Sequence, residues 1–191
     1  MKPQRMFVHP FLALLICTGL ALHAAEIPKV GDKAPDFTLQ SLDDKTVRLS
    51  ELTAKGSVVL VVLRGWPGYQ CPICDRQVQD FIQLKSRFAE AKAQLVFVYP
   101  GPASGLTAHA DEFKKWKGKE WPKEFFYVLD PDYSMVNSYG LRWDAPRETA
   151  YPSTFVLDAR GAVRFAKISQ SHGDRTKAAD VLAETNKLSG K

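Results

Sequence analysis

Cysteine and histidine are scarce in this sequence. It contains three cysteines and four histidines in 191 residues. One cysteine and two histidines precede residue 25, so only Cys71, Cys74, His109 and His172 remain beyond it. The two histidines are far apart in sequence and do not form a close pair of ligands. This scarcity excludes a framework of several disulfides and argues against a zinc site built from cysteine and histidine.

The sequence also lacks the run of about 20 apolar residues that a membrane-spanning helix requires. Its N-terminal apolar stretch, Phe11–Leu22, follows two basic residues and precedes Ala24 and Ala25. A basic start, a short apolar run and small residues at its end are typical of a secretory signal peptide. We therefore predict a signal peptide over residues 1–24, cleaved after Ala24 or Ala25. The remaining chain is expected in the bacterial periplasm, without stable membrane insertion.

No stretch of the chain carries an excess of one charge sign. The sequence has 26 basic and 21 acidic residues, a net charge of +5 at pH 7. Residues 1–24 hold two of the basic residues and no acidic one, so residues 25–191 carry +3. The two signs are mixed, as in DEFKKWKGKEW, and no internal repeat is visible. A basic stripe of the kind that binds nucleic acid is missing, so we expect no nucleic-acid partner.

The patterns that are present predict an α/β fold. Alternating apolar and polar residues on both sides of Asp43-Asp44 predict an N-terminal β-hairpin. The β-branched run Ser57–Leu63 is typical of a central strand buried on both faces. Pro72 suits the first turn of a helix, and apolar residues at helical spacing extend that helix to about Lys92.

The remaining elements complete one domain, residues 25–191. They are expected to build a three-layer sandwich with a central mixed β-sheet flanked by helices. The predicted bounds are hairpin strands Phe37–Gln40 and Val47–Leu49, strand Gln94–Pro100, helix Thr107–Lys117 capped by Thr107, strand Glu124–Asp130, short helix Asp132–Gly140, hairpin Ser153–Ile168 and helix Thr176–Leu188.

The stretch GWPGYQCPICDRQ places Cys71 and Cys74 at the start of the long helix. A cysteine is a nucleophile only as thiolate, and the free N–H groups at a helix N-terminus favour that negative charge. Arg64 and Arg76 lie nearby in sequence and would add positive potential. The pattern therefore indicates a redox-active dithiol/disulfide pair.

Two other interpretations of the cysteines stay open. A structural disulfide would close a loop of only four residues, worth about 2 kcal/mol against about 3 kcal/mol for fifteen residues. Alternatively, two thiolates can hold Cu(I), which would make the protein a copper-binding chaperone module. Neither is favoured, because the first stabilises little and the second lacks a histidine near the cysteines.

The stretch TAYPSTFVLD places Pro152 directly before a strong strand. A Tyr–Pro bond can be cis, and a cis-proline in a tight turn is usually held by the fold. Opposite the cysteine pair, it would keep metals out and present the Tyr151 backbone to an extended partner. An ordinary loop proline is the simpler interpretation of the same residue.

From GDKAPDFTL to YPSTFVLDARGAV, residues 31–163 resemble the alkyl hydroperoxide reductase/thiol-specific antioxidant group. This group contains the peroxiredoxins and their periplasmic redoxin relatives. The resemblance implies a thioredoxin-like fold with Cys71 and Cys74 as the redox centre. It also implies no cofactor beyond that pair.

The site departs from the peroxiredoxin pattern, in which a proline precedes a threonine by four positions and the attacking cysteine by seven. Pro67 and Cys74 match the ends of this pattern, while Cys71 replaces the threonine. Pro152 stands where peroxiredoxins carry an arginine before STF. Both changes resemble thioredoxin, yet Gln70 replaces the tryptophan that precedes the first thioredoxin cysteine. The site is therefore a hybrid.

Two mechanisms follow from this hybrid. As a peroxidase, Cys74 would attack a peroxide, Cys71 would resolve the sulfenic acid, and an external thiol donor would reduce the disulfide. As a disulfide reductase, Cys71 would attack and Cys74 would resolve, with Tyr151 and Pro152 docking the substrate. An exported thiol oxidoreductase is expected in either case, and the spacing of Pro67 to Cys74 narrowly favours the peroxidase.

Further side chains are candidates for supporting roles. In the peroxidase mechanism, the arginine that peroxiredoxins carry before STF helps to hold the peroxide, and Pro152 cannot replace its charge. That charge would come from one of four other arginines, namely Arg64, Arg76, Arg142 and Arg147. Asp36 is either a proton acceptor in the reductase mechanism or a turn residue that orders the first strand.

Overall fold

A seven-stranded mixed sheet forms the centre of the fold in the computed structural model, which describes residues 25–190. The predicted signal peptide, residues 1–24, lies outside the described residues. The strands are β1 (Thr38–Ser41), β2 (Thr46–Arg48), β3 (Val58–Val62), β4 (Gln94–Gly101), β5 (Phe126–Pro131), β6 (Ser153–Leu157) and β7 (Val163–Ile168). Their order across the sheet is β2-β1-β5-β4-β3-β6-β7. β4 pairs in parallel with β3 and β5, and the other neighbours are antiparallel.

Helices cover both faces of this sheet. They are α1 (Leu49–Thr53), α2 (Pro72–Gln83), α3 (Lys85–Glu90), α4 (Leu106–Lys115), α5 (Ser134–Ser138) and α6 (Ala178–Leu188), with a 3₁₀ turn at Trp116–Gly118. The three-layer sandwich predicted from the sequence is confirmed. No helix within residues 25–190 is long and apolar enough to cross a membrane.

The side chains of β3 explain why this strand is central. Every residue of β3 is fully buried. Val59 and Val61 pack into one core with buried residues of α2, α4 and α6. Leu60 and its neighbours on the other face pack into a second core with α1 and α5. A strand buried on both faces is apolar throughout, as the sequence of β3 is.

The structure differs from the predicted helices at three places. The long helix breaks at Leu84 (φ −103°, ψ 11°) into α2 and α3. Phe81 of α2 and Phe88 of α3 still stack against each other, with ring centroids 5.6 Å apart. Their spacing of seven residues, about two helical turns, places both rings on the same side of the chain. α4 begins after Gly105, which has φ +75°, so Thr107 is not the cap. The short helix α1 was not predicted.

The chain leaves β3 through a tight crossing at Gly65. Its φ of +71° is left-handed, and a Cβ on this residue would lie 1.8 Å from the carbonyl oxygen of Pro100. The next N–H, that of Trp66, donates to the same oxygen at 3.0 Å. Only glycine fits this approach of two backbones. The crossing fixes the start of the loop, residues 65–70, that leads to the cysteines.

The segment between β7 and α6, residues 169–177, is held at both ends. At its start, the N–H of Ser169 donates to the carbonyl of Pro152 at 2.9 Å. At its end, the N–H of Ala178 donates to Asp80 Oδ2 at 2.7 Å. Asp80 belongs to α2, so this segment is anchored to the helix that begins at the cysteines.

Candidate active site

The two cysteines lie where α2 begins, just beyond the carboxyl end of β3. Cys71 is the N-cap residue of α2, with an extended backbone (φ −83°, ψ 111°), and Pro72 is the first helical residue. Proline suits this position because its missing N–H has no partner there in any helix. Cys74 lies in the first turn. Both sulfurs are therefore close to the positive end of a twelve-residue helix.

Hydrogen bonds distinguish the two sulfurs. Cys71 Sγ accepts the main-chain N–H of Cys74 at 3.3 Å. Cys74 Sγ accepts the main-chain N–H of Arg64 at 3.5 Å. Both cysteines are free thiols, and their residues are only 3% and 1% exposed, respectively. Cys71 is thus the acceptor within the pair, and Cys74 is the donor.

This arrangement separates the pKa values of the two thiols. The hydrogen bond from the Cys74 thiol lowers the pKa of Cys71 to about 5, helped by the N–H of Cys74 and the charge of Arg175 and opposed by burial. Burial raises the pKa of Cys74, and the hydrogen bond that its thiol gives to Cys71 raises it further. At neutral pH the reduced pair therefore holds a thiolate on Cys71 and a thiol on Cys74.

Two arginines approach the pair in different ways. Arg64 gives its main-chain N–H to Cys74, but its side chain donates to Glu148 Oε2 at 2.8 Å. Arg175 points its guanidinium at the sulfur, with Nη2 at 3.8 Å from Cys74 Sγ. Its Nε donates to the carbonyl of His172 at 2.8 Å. Arg175 is therefore the arginine whose charge faces the cysteines.

The buried side chain of Arg64 ties two loops to the site. Besides Glu148, its guanidinium contacts the Tyr69 hydroxyl and the carbonyl of Arg147. The other carboxylate oxygen of Glu148 contacts His172 Nε2 at 2.9 Å. Thr149 donates its hydroxyl to the carbonyl of Arg64. Residues 147–149 are thereby fixed against the end of β3.

The loop before Cys71 is clamped to α4 through Gln70. Tyr99 donates its hydroxyl to Gln70 Oε1 at 3.0 Å, and Gln70 Nε2 donates to the carbonyl of His109 at 2.8 Å. The ring of His109 stacks on Trp66, with centroids 3.6 Å apart. These contacts fix the residues that directly precede Cys71.

The described residues offer no evident metal centre. Within residues 25–190, no group of three or more histidine, cysteine, aspartate or glutamate side chains is placed to hold a metal ion. The arrangement around Cys71 and Cys74 supports thiol chemistry directly, with one thiolate, one thiol and one facing cation.

Comparison with known protein families gives this site a context. Residues 30–166 match the AhpC/TSA family, which is more than two thirds of the chain. The protein belongs to the AhpC/TSA family. The expected family and thioredoxin-like fold are confirmed, and the protein is a thiol-dependent oxidoreductase.

Among curated relatives, this AhpC/TSA protein is 28% identical to the thiol-disulfide oxidoreductase ResA of Bacillus subtilis over 169 residues. The match covers 85% of this chain and 84% of ResA. It is also 28% identical to Peroxiredoxin 2 of Caldanaerobacter subterraneus over 139 residues, covering 72% of this chain and 60% of that protein. Disulfide and peroxide enzymes are thus both represented among its relatives.

Solved structures show the same fold. Peroxidoxin BcpB of Mycobacterium tuberculosis superposes with a TM-score of 0.63 at 25% identity, over 84% of this chain and 98% of that one. Mycobacterium tuberculosis AhpC has a TM-score of 0.67 at 16% identity, over 85% and 93% of the two chains, and shows the shared fold.

The structure places the three predicted substrate-binding residues of this AhpC/TSA protein in two loops. Pro67 is half-buried in the loop before Cys71. Tyr151 and Pro152 directly precede β6, where Ser153 pairs with Val62 at the end of β3. The 151–152 segment is thus close to the β3 end from which the cysteine loop departs.

Of the two interpretations of Pro152, the cis-proline is excluded, because residues 25–190 contain no cis peptide bond. The trans form of an X–Pro bond is favoured by about 0.5–1 kcal/mol, and the surrounding backbone bonds accommodate it here. Pro152 accepts the N–H of Ser169, and the N–H of Tyr151 donates to the carbonyl of Leu141 at 2.9 Å. The Tyr151 N–H is therefore not free to bind an extended partner.

None of the four arginines singled out from the sequence directs its charge at a sulfur. Arg64 pairs with Glu148, and Arg142 donates to the carbonyl of Trp143 at 2.7 Å. The other two, Arg76 and Arg147, are exposed. Arg175 takes this place instead, and it follows Cys74 by 101 positions without any local pattern that marks it.

The carboxylate of Asp36 is bound by Arg48 and Ser50 rather than placed as a proton acceptor for the cysteines. Its carboxylate accepts the main-chain N–H and the hydroxyl of Ser50, both at 2.9 Å, and Arg48 Nε at 3.0 Å. These hydrogen bonds lower the pKa of Asp36 against the opposing effect of burial. These contacts hold the residues before β1 against the end of β2 and the start of α1.

Proposed function

We propose that this protein reduces disulfide bonds, with Cys71 as the attacking and Cys74 as the resolving cysteine. The observation that carries the proposal is the position of the Cys71 sulfur at the N-cap of α2, where it accepts the main-chain N–H of Cys74. Its pKa of about 5 keeps it ionised at neutral pH, when a free cysteine is mostly protonated. The similarity to ResA supports the same substrate class.

In the first step, the Cys71 thiolate attacks one sulfur of a substrate disulfide R–S–S–R′. A bond forms between Cys71 Sγ and the sulfur of R, and the substrate S–S bond breaks. R′–S⁻ leaves with the electron pair and takes up a proton from solvent. Cys71 is then held in a mixed disulfide, and its negative charge is gone.

In the second step, Cys74 loses its proton to solvent and attacks Cys71 Sγ. The Cys71–Cys74 disulfide forms, the bond to R breaks, and R–S⁻ leaves and is protonated. The substrate has gained two electrons and the pair has lost two. An external dithiol, such as a thioredoxin-like electron donor, returns the pair to the reduced state.

Binding of the substrate is assigned to the side chains of Pro67 and Tyr151, which are half-buried, whereas the side chain of Pro152 is buried and does not take part. The ring of Tyr151 stacks on Trp143, with centroids 4.8 Å apart and an interplanar angle of 6°. This rigid aromatic pair, on the loop next to the β3 end, suits a polypeptide substrate. The signal-peptide pattern of residues 1–24 supports a periplasmic location for the reaction.

Peroxide reduction by Cys74 is the second candidate. It is favoured by the guanidinium of Arg175 beside Cys74 Sγ and by the likeness to peroxidoxin BcpB. It ranks second because Cys74 is fully buried and its pKa is raised, so little thiolate is available to attack a peroxide. The order suggested by the sequence alone is thereby reversed.

The test uses the reduced protein, residues 25–191, with a disulfide-linked peptide or with hydrogen peroxide. We expect wild type to reduce the peptide and Cys71→Ser to lose the reaction. Cys74→Ser should accumulate a mixed disulfide through Cys71, visible by mass spectrometry. The Cys71→Ser/Cys74→Ser double variant is the control for both oxidants.

The peroxide arm decides between the two candidates. If the protein is a disulfide reductase, wild type should consume hydrogen peroxide no faster than the Cys71→Ser/Cys74→Ser double variant. Rapid peroxide consumption, with a trapped sulfenic acid on Cys74 of Cys71→Ser and no reduction of the peptide, would replace it by the second candidate.

A further inference from the structure

The mechanism leaves one requirement unassigned, namely a group that allows the buried Cys74 thiol to ionise. Cys74 is 1% exposed, and burial is the largest cause that raises its pKa. In the resting pair, its thiol also donates to the Cys71 thiolate, whose charge opposes a second one. A mixed disulfide at Cys71 removes that charge and that hydrogen bond, but burial remains.

Arg175 is the charged side chain placed to help the Cys74 thiol ionise. Arg175 Nη2 is 3.8 Å from Cys74 Sγ. Arg64 reaches the same sulfur only through its main-chain N–H, since its guanidinium is paired with Glu148 at 2.8 Å. Arg175 is thus the cation that acts on this sulfur at close range.

The guanidinium of Arg175 forms no close ion pair with the described residues and interacts with Asp174 only at longer range. Among residues 25–190, no carboxylate lies within ion-pair distance of it. Its Nη1 is buried and has no hydrogen-bond partner. Nε alone is used for positioning, on the carbonyl of His172. A partly buried cation without a close ion pair, and with one nitrogen on a sulfur, is suited to stabilise negative charge on that sulfur.

The position of Arg175 is fixed by contacts that reach the cysteine helix. Asp80 of α2 accepts the N–H of Ala178, three residues after Arg175. Upstream, His172 is held by Glu148 at 2.9 Å. The guanidinium is therefore held in place before the reaction and needs no rearrangement during it.

We propose that Arg175 is a catalytic residue of the resolving step, whose guanidinium stabilises the Cys74 thiolate while Cys71 is bound in the mixed disulfide. The proposal rests on the proposed function. In this step Cys74 gives its proton to solvent, its thiolate forms the bond to Cys71 Sγ, and the substrate thiolate leaves. Arg175 exchanges no electrons and no protons.

The first experiment titrates Cys74 alone, in a Cys71→Ala background, by the ultraviolet absorbance of its thiolate. Arg175→Gln should raise the pKa of Cys74 by about one unit, a tenfold smaller thiolate fraction below that pKa. Arg175→Lys should restore part of the effect. Arg87→Gln, an exposed arginine on α3, is the matched control and should change nothing. Should Arg175→Gln fail to fold by circular dichroism, Arg175→Met gives the same measurement.

The second experiment follows a single turnover with the disulfide-linked peptide, using variants that retain both cysteines. In Arg175→Gln the mixed disulfide should accumulate and decay about tenfold more slowly than in wild type. An unchanged Cys74 titration together with an unchanged decay would overturn the role of Arg175. Failure of wild type to reduce the peptide would instead overturn the proposed function, and the titration would still decide the effect of Arg175 on the sulfur.

Discussion

At the scale of single residues, the two cysteines differ through their positions in one helical turn. Cys71 precedes the helix and accepts hydrogen bonds from Cys74, whereas Cys74 lies within the turn beneath it. The same helix N-terminus therefore yields one ionised and one protonated sulfur. The sequence does not show this difference, because both residues are cysteines. Their pKa values differ only through the direction of the hydrogen bonds and the burial that the fold imposes.

The pH dependence of alkylation tests this assignment. A small alkylating reagent should modify Cys71 at a rate that is constant above about pH 6 and falls as the pH drops through about 5, where the thiolate is protonated. Cys74→Ala removes the thiol donor, so the midpoint should move upward. Rates are followed by mass spectrometry of the Cys71 peptide. A wild-type midpoint near 8.5, the value of a free cysteine, would contradict the assignment.

At the scale of elements, the first turn of α2 is anchored by a buried ion pair beside the two cysteines. Asp75 follows Cys74 and is fully buried. Its carboxylate pairs with Lys119, whose side chain is 2% exposed, and accepts Gln79 Nε2 at 2.9 Å. Lys117 also approaches it, at 3.7 Å, but is 53% exposed. The segment after α4 is thereby attached to the cysteine helix.

The two lysines provide a matched pair of variants. Lys119→Met leaves a buried carboxylate without its close partner and should lower the free energy of unfolding by about 3–5 kcal/mol. Lys117→Met removes a solvent-screened partner and should cost less than about 1 kcal/mol. Urea denaturation of the oxidised protein gives both values. Equal losses would show that burial of the lysine does not decide the strength of the pair.

At the scale of the whole molecule, the structural features that could be predicted from the sequence are those that depend on short local patterns of residues. The apolar run of β3, the N-terminal hairpin and the cysteines at a helix start are all visible in short segments. The break at Leu84 was not predictable from apolar spacing, because the pattern continues across it. The role of Arg175 depends on how β7 and α6 fold back on α2, which no short segment encodes.

The stability of the whole reduced protein should depend on pH through Cys71. Its folded pKa, about 5, is below the unfolded value of about 8.5, so its stabilisation is complete above pH 8.5 and is lost as the pH falls toward 5. The free energy of unfolding should therefore rise from pH 5 to 8, by at most about 1.4 kcal/mol per pH unit from this group. Denaturant unfolding under reducing conditions measures it.

Cys71→Ser is the control for this dependence, since it keeps every other titrating group. The difference between wild type and Cys71→Ser should grow with pH across this range. A difference that stays constant would mean that folding does not shift the ionisation of Cys71.

The close approach of the Gly65 backbone to that of Pro100 limits which substitutions this protein can tolerate. Any side chain at this position would collide with the Pro100 carbonyl and separate the cysteine loop from β4. Three residues later the loop is open, with free space around Gly68 and an exposed Tyr69. The base of the loop is therefore closed to mutation, and at its tip the left-handed backbone of Gly68 (φ +104°) and the contact of Tyr69 with Arg64 also limit which side chains are accepted.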